Sequence, residues 1–72
     1  MELPQILGHN VRTWRKRRGM SQEELALECE MKRSCVSDLE RGTRNPTVKA
    51  IARLAAALQI EPEALLRTKA KS

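Results

Sequence analysis

The sequence predicts an all-α fold, a compact set of five short helices. Three observations carry that expectation. Apolar residues recur at helical spacing in each successive segment. Each segment is bounded by residues that start or stop helices: Pro4, Gly19, Ser21, Gly42, Thr47 and Pro62. Two central segments, Gln22 to Cys29 and Arg33 to Arg41, are short and separated only by Glu30-Met31-Lys32, so they read as two helices joined at a sharp angle.

The first helix is expected to begin near Pro4, a residue tolerated at the first helical position. Leu3, Leu7, Val11 and Trp14 recur at i, i+4, i+8 and i+11 and form its buried stripe. Gly8 lies inside that helix, where it costs up to about 1 kcal/mol relative to alanine. The helix ends in Arg15-Lys16-Arg17-Arg18 before Gly19. Basic residues complement a helix C-terminus and glycine suits the position that follows. That basic run reads as a solvated helix end or as a set of phosphate contacts.

Ser21-Gln22-Glu23-Glu24 is a capping box that opens the second helix, which buries Leu25, Ala26 and Cys29. The third helix buries Val36 and Leu39. Thr47 caps the fourth, whose apolar stripe is Val48, Ile51, Leu54, Ala55 and Leu58. Ile60 tucks the chain back. Pro62 opens the fifth helix, which carries Ala64, Leu65 and Leu66. A basic tail over 67–72 is expected to fray.

What remains on the third helix is informative. Arg33, Ser34, Ser37, Asp38 and Arg41 fall at i, i+1, i+4, i+5 and i+8, one continuous polar face. Arginine and serine can hydrogen-bond base edges and phosphates. Arg33 can donate twice to the O6 and N7 of a guanine. Ser34 and Ser37 can reach a base edge or a phosphate. Asp38 can accept from a cytosine N4 or can orient Arg33 or Arg41. Lys32, at the helix start, is expected on a phosphate.

Composition narrows the partner. Net charge is +5, with 32% charged and 40% hydrophobic residues, the balance of a basic globular domain that favours nucleic acid. Trp14 is the one aromatic residue, which argues against the stacked platforms used on RNA and single strands. Two cysteines and one histidine, with no metal-ligand spacing, cannot assemble a four-ligand zinc site. An enzyme is not expected: His9 is the only histidine and has no nucleophile paired with it. No cofactor or small-molecule ligand is expected. No apolar run approaches the roughly 18 residues of a membrane span, and the N-terminus lacks the pattern of a signal peptide. A cytoplasmic, nucleoid-associated protein of one domain over residues 1–72 is therefore expected.

The stretch Gln22 to Leu39 resembles the helix-turn-helix of the lambda-repressor-like (Xre) regulators of bacteria and phage. The resemblance runs through Leu7-Gly8, Val11, Trp14-Arg15, Gly19 to Ala26, Val36, Leu39 to Gly42, Arg44-Asn45-Pro46, Leu54-Ala55, Leu58 and Leu65-Leu66. Lys32-Arg33-Ser34 and Arg41 to Asn45 are most similar to the controller proteins of restriction–modification systems. The resemblance implies a recognition helix at the third helix, a phosphate contact from Gln22, and phosphate contacts from Arg41, Thr43 and Asn45. It implies a base contact from Arg44, and a structural pair between Arg15 and Glu40. It also places glycine where this chain has Glu30 and Gln59, so both positions are expected to tend toward positive φ, where a side chain costs about 1–2 kcal/mol.

Adjacent leucines on a short terminal helix cannot all face one small core. A homodimer patch drawn from Leu58, Leu65 and Leu66 is expected. Cys29 reads as a buried small hydrophobe. Cys35 lies in the first turn of the recognition helix beside Lys32 and Arg33, a setting that favours the thiolate; two readings stay open, a thiol without a redox role and one whose modification blocks DNA binding. The function expected is a sequence-specific regulator that binds a palindromic double-stranded operator as a homodimer and controls its own promoter, with RNA polymerase as a candidate further partner. A phage or plasmid repressor and an antitoxin-type regulator are the alternatives within that class. A protein-interaction module that keeps the fold is the alternative from another class.

Overall fold

The computed structural model describes residues 2–68. Five helices follow in order: α1 Leu3–Arg17, α2 Gln22–Cys29, α3 Arg33–Arg41, α4 Val48–Leu58 and α5 Pro62–Leu66. No strand occurs among the described residues.

Local chemistry sets the boundaries. Ser21 Oγ accepts from Glu24 N at 3.0 Å, and Glu24 Oε1 accepts from Ser21 N at 2.8 Å. This reciprocal box satisfies two backbone donors at the start of α2. Thr47 Oγ1 accepts from Ala50 N at 3.0 Å and starts α4. Glu30, Gly42 and Gln59 close α2, α3 and α4 in the left-handed conformation, with φ of 57°, 76° and 59°. The expected departures at Glu30 and Gln59 thus keep the glycine-like backbone rather than relaxing away from it.

Each helix contributes to one core: Leu7 and Val11 from α1, Leu25, Ala26 and Cys29 from α2, Val36 and Leu39 from α3, Leu54, Ala55 and Leu58 from α4, and Leu65 from α5. α1 packs on α3, α4 and α5, and α2 packs on α3 and α4. Leu3 and Val48 are corrections to the expected stripes, at 57% and 83% exposed. Both occupy the first residue of their helix, before the stripe reaches the core. Trp14 is half-buried, packed against the core's edge.

Gly8 explains how closely α1 sits on α3. A Cβ there would lie 2.2 Å from the Leu39 carbonyl oxygen and 2.9 Å from that of Glu40. Both are backbone atoms that cannot step aside, so the helix penalty of glycine is offset by an approach no other residue permits.

Two long-range caps complete the fold. Asn10 Nδ2 donates to the carbonyls of Leu65 at 2.7 Å and Arg67 at 2.8 Å, closing α5. Arg67, in the segment expected to fray, is therefore tied to α1; residues 69–72 of that segment lie outside the described residues. Arg18 Nε donates to Leu58 O at 2.8 Å and its Nη2 to Gln59 O at 3.2 Å. Within the basic run, Arg18 is thus exposed but turned back on the protein: it caps the last carbonyls of α4.

Candidate nucleic-acid interface

The outer side of α3 carries the polar face. Arg33, Ser34 and Arg41 are exposed, Ser37 and Asp38 half-buried, and Lys32 is exposed just before the first turn. Val36 and Leu39 point the opposite way, fully buried, so the helix cannot rotate without extracting them from the core. Rotational setting of the polar face is thus a consequence of apolar packing.

Neighbouring elements are tied to this helix by specific bonds. Arg41 Nη2 donates to Asp38 Oδ1, one turn away on the surface. Asp38 thereby orients Arg41. Thr43 donates to the Asp38 carbonyl through both its backbone N and its Oγ1, each at 3.2 Å. The start of the 43–45 loop therefore folds back against the end of α3. Arg44 Nη1 lies 3.4 Å from Cys35 Sγ, so its guanidinium rests against the outer side of α3. Asn45 is exposed in the same loop.

The start of α2 joins α3 through Glu40. Arg15 Nε donates to Glu40 Oε2 at 2.6 Å, and Arg15 Nη2 to Glu40 Oε1 at 3.1 Å. These side chains are 11% and 5% exposed. Gln22 Nε2 also donates to Glu40 Oε1, at 3.0 Å. Arg15 Nη1 donates to the Met20 carbonyl at 2.8 Å. One carboxylate thus gathers the end of α1, the start of α2 and the end of α3. The two-pronged geometry is the strong form of an arginine–carboxylate pair.

The structure therefore brings Gln22, Arg33, Ser34, Ser37, Asp38, Arg41, Thr43 and Arg44 onto or against one helix. The expected dimer patch requires correction. Leu58 and Leu65 are fully buried in the monomer's own core, where α4 and α5 pack together, and present nothing to a partner. Only Leu66, at 38% exposed, remains of that set. It borders a groove of about 140 Å³ lined by Leu3, Pro4, Leu7, Asn45, Pro46, Ile51 and Leu66.

The two cysteines differ in setting. Cys29 is buried, its Sγ 3.7 Å from the Arg53 carbonyl oxygen. Burial pushes its thiol up from 9.0 to about 11, with Glu28 adding to the rise and Arg53 opposing it. Cys35 is half-buried on α3. Among the described residues, no group of three or more metal-ligating side chains comes together, and no helix is long and apolar enough to cross a membrane.

Sequence reasoning left several contacts unseen. The Asn10 caps and the Arg18 caps span 55 to 57 and 40 to 41 residues of chain. No local pattern announces such partners. The bond from Gln22 to Glu40 had an available signal, since both residues belong to the matching motif, but their separation across two helices hid their contact.

Comparison with known proteins places the chain. The family model HTH_3, helix-turn-helix, matches residues 11–65. The control protein C.BamHI of Bacillus amyloliquefaciens is 44% identical over 62 residues, covering 85% of this chain and 76% of that protein. The restriction–modification controller protein C.AhdI of Aeromonas hydrophila superposes with a TM-score of 0.84 at 42% identity, covering 86% of this chain and 94% of that one. A hypothetical transcription factor of Neisseria, NHTF, superposes with a TM-score of 0.91 at 38% identity, covering 94% of this chain and 78% of that one. The chain belongs to the Xre-like HTH_3 helix-turn-helix family of DNA-binding regulators, which are not enzymes, and is similar to restriction–modification controller proteins.

Proposed function

We propose that this protein is a controller-type transcriptional regulator that binds a palindromic operator as a homodimer and adjusts its own synthesis, acting on nucleoid DNA in the cytoplasm. The observation that carries the reading is the outer α3 face, with Gln22 held at Glu40, Thr43 and Arg44 folded back against Asp38 and Cys35, and Asn45 exposed in the same loop. Arg33, Ser34, Ser37, Asp38 and Arg44 read base edges in the major groove, and Asp38 also holds Arg41 toward the backbone. Gln22, Lys32, Arg41, Thr43 and Asn45 contact phosphates, which fix the helix in register and supply most of the affinity. RNA polymerase is the further partner at a controlled promoter.

A second copy is expected to cover the apolar surface around Leu66. Leu3 and Leu66 line the same groove as Ile51, and Val48 lies one turn before Ile51 on α4. This exposed set replaces Leu58 and Leu65 as the dimer surface. Asn45 lines the groove as well as belonging to the phosphate-contacting loop, so pairing of two copies would steady that loop. Half-sites would lie about 34 Å apart, one helical turn of duplex.

Selection of bound sequences from a random duplex pool, at two salt concentrations, tests the reading. An inverted repeat with fixed spacing supports it. Salt-sensitive binding without any motif would sink base readout by α3 and favour a protein-interaction module on the same fold.

A further inference from the structure

Glu40 does more than balance Arg15. It is held 5% exposed, yet its Oε1 accepts from two donors on different helices, Arg15 Nη2 and Gln22 Nε2. The second bond places the nitrogen, not the oxygen, of the Gln22 amide toward the carboxylate. An amide nitrogen carries two hydrogens. One is used on Glu40 and the other remains to donate from the start of α2, where the helix N-terminus favours an anion. A long side chain such as glutamine ordinarily loses its rotamer freedom when it binds. In the unbound protein Gln22 is already held by Glu40.

The geometry points to Glu40 as a positioning residue for DNA binding: it holds the Gln22 amide in the orientation that donates to a phosphate, while Arg15 neutralises the charge that would otherwise repel that phosphate. This rests on the DNA-binding reading above, and deepens it. The carboxylate suits this role where a neutral acceptor would not. It can receive both guanidinium donors and still accept from the amide. Without Arg15 the same carboxylate would face the DNA backbone as a like charge.

The sign of one substitution separates this role from the others. Glu40→Gln makes the protein more positive, so electrostatics alone predicts tighter binding to DNA. Loss of the Arg15 pair alone predicts lower stability, and a binding loss that simply adds to the loss from Gln22→Ala. Positioning predicts weaker binding that disappears when Gln22 is already absent. The experiment is a double-mutant cycle on operator duplex, using Gln22→Ala, Glu40→Gln and the double variant. Affinity is measured at a temperature where circular dichroism shows each variant folded. Glu40→Gln is expected to weaken binding about three- to tenfold alone and less than about twofold in the Gln22→Ala background. Equal losses in both backgrounds, or tighter binding by Glu40→Gln, overturn the inference and leave DNA binding intact. Failure of the unsubstituted protein to bind any duplex overturns the DNA reading together with it.

The unsubstituted protein supplies an independent measurement that needs no stable variant. Nitrogen relaxation of its side-chain amides, without DNA, should find Gln22 as ordered as the surrounding backbone and the exposed Gln59 amide mobile. Equal mobility of the two amides overturns the inference.

Discussion

On its inner side α3 carries Val36, Leu39 and Glu40, each fixed by a neighbour; on its outer side it carries Arg33, Ser34, Ser37, Asp38 and Arg41, all at least partly open to solvent. The inner side is anchored in three ways: apolar burial, a backbone approach at Gly8, and the two-pronged ion pair to Arg15. The outer side is shaped by one surface ion pair, Asp38 with Arg41, and by Arg44 lying on Cys35. The difference separates two tasks within nine residues. One side sets where the helix stands and how it is rotated. The other can change its chemistry without disturbing that setting.

The largest effect is expected on the inner side. Arg15→Ala leaves Glu40 buried without its cation, and breaking such a pair costs about 3–5 kcal/mol. Urea unfolding should report a loss in that range, a large fraction of the stability of so small a protein. A loss below about 1 kcal/mol would mean the pair behaves as a surface pair, and the contrast between the two sides of α3 would fail.

Gly8→Ala comes next. Alanine gains up to about 1 kcal/mol of helix propensity over glycine. Against that gain, its Cβ would meet the Leu39 carbonyl oxygen at 2.2 Å, so α1 must lift from α3. Overpacking of this kind costs about 1–3 kcal/mol, and the net effect is expected to be destabilising. An increased Tm would show that α1 is not seated so closely.

The outer side should respond differently. Arg33→Ala is expected to leave unfolding free energy unchanged within about 0.5 kcal/mol. On operator DNA it should cost about 1–3 kcal/mol and relax preference at one base position. An equal loss on every duplex would instead assign Arg33 to the phosphates.

How legible these features were follows from the distance over which each is determined. The five helices have boundaries close to those the sequence predicts, because capping boxes, prolines and left-handed caps act over three or four residues. The polar face of α3 was visible because helical periodicity places Arg33, Ser34, Ser37 and Asp38 together without reference to any other element. The dimer patch was misjudged at Leu65 because the direction of a leucine on a five-residue helix depends on what the other helices leave open, and at Leu58, the last residue of α4, because α5 packs against α4 there. Leu3 and Val48 were expected inside for the converse reason: periodicity continues to the first residue of a helix, while the core it faces does not. Gly8 could be seen as costly but not as necessary, since the carbonyls it makes room for lie on another helix.

The smallest effects compare the two left-handed caps that lack glycine. Glu30 and Gln59 have nearly the same backbone, with φ of 57° and 59°. A non-glycine residue there costs about 1–2 kcal/mol. Glycine recovers that cost but gives back about 0.4–1 kcal/mol through the freedom it adds to the unfolded chain. Glu30→Gly and Gln59→Gly should therefore each stabilise by about 0.5–1 kcal/mol, read as equal shifts in the urea midpoint. Their effects on DNA should differ. Glu30 stands in the turn just before Lys32 and Arg33, where its negative charge opposes an approaching phosphate backbone. Gln59 is neutral and closes α4 beside Arg18. Only Glu30→Gly should tighten DNA binding, by a margin that shrinks as salt rises. Tightening of both variants alike would trace the gain to folding stability rather than to charge. If neither tightened, the turn before α3 would lie too far from the phosphates for a single charge to act.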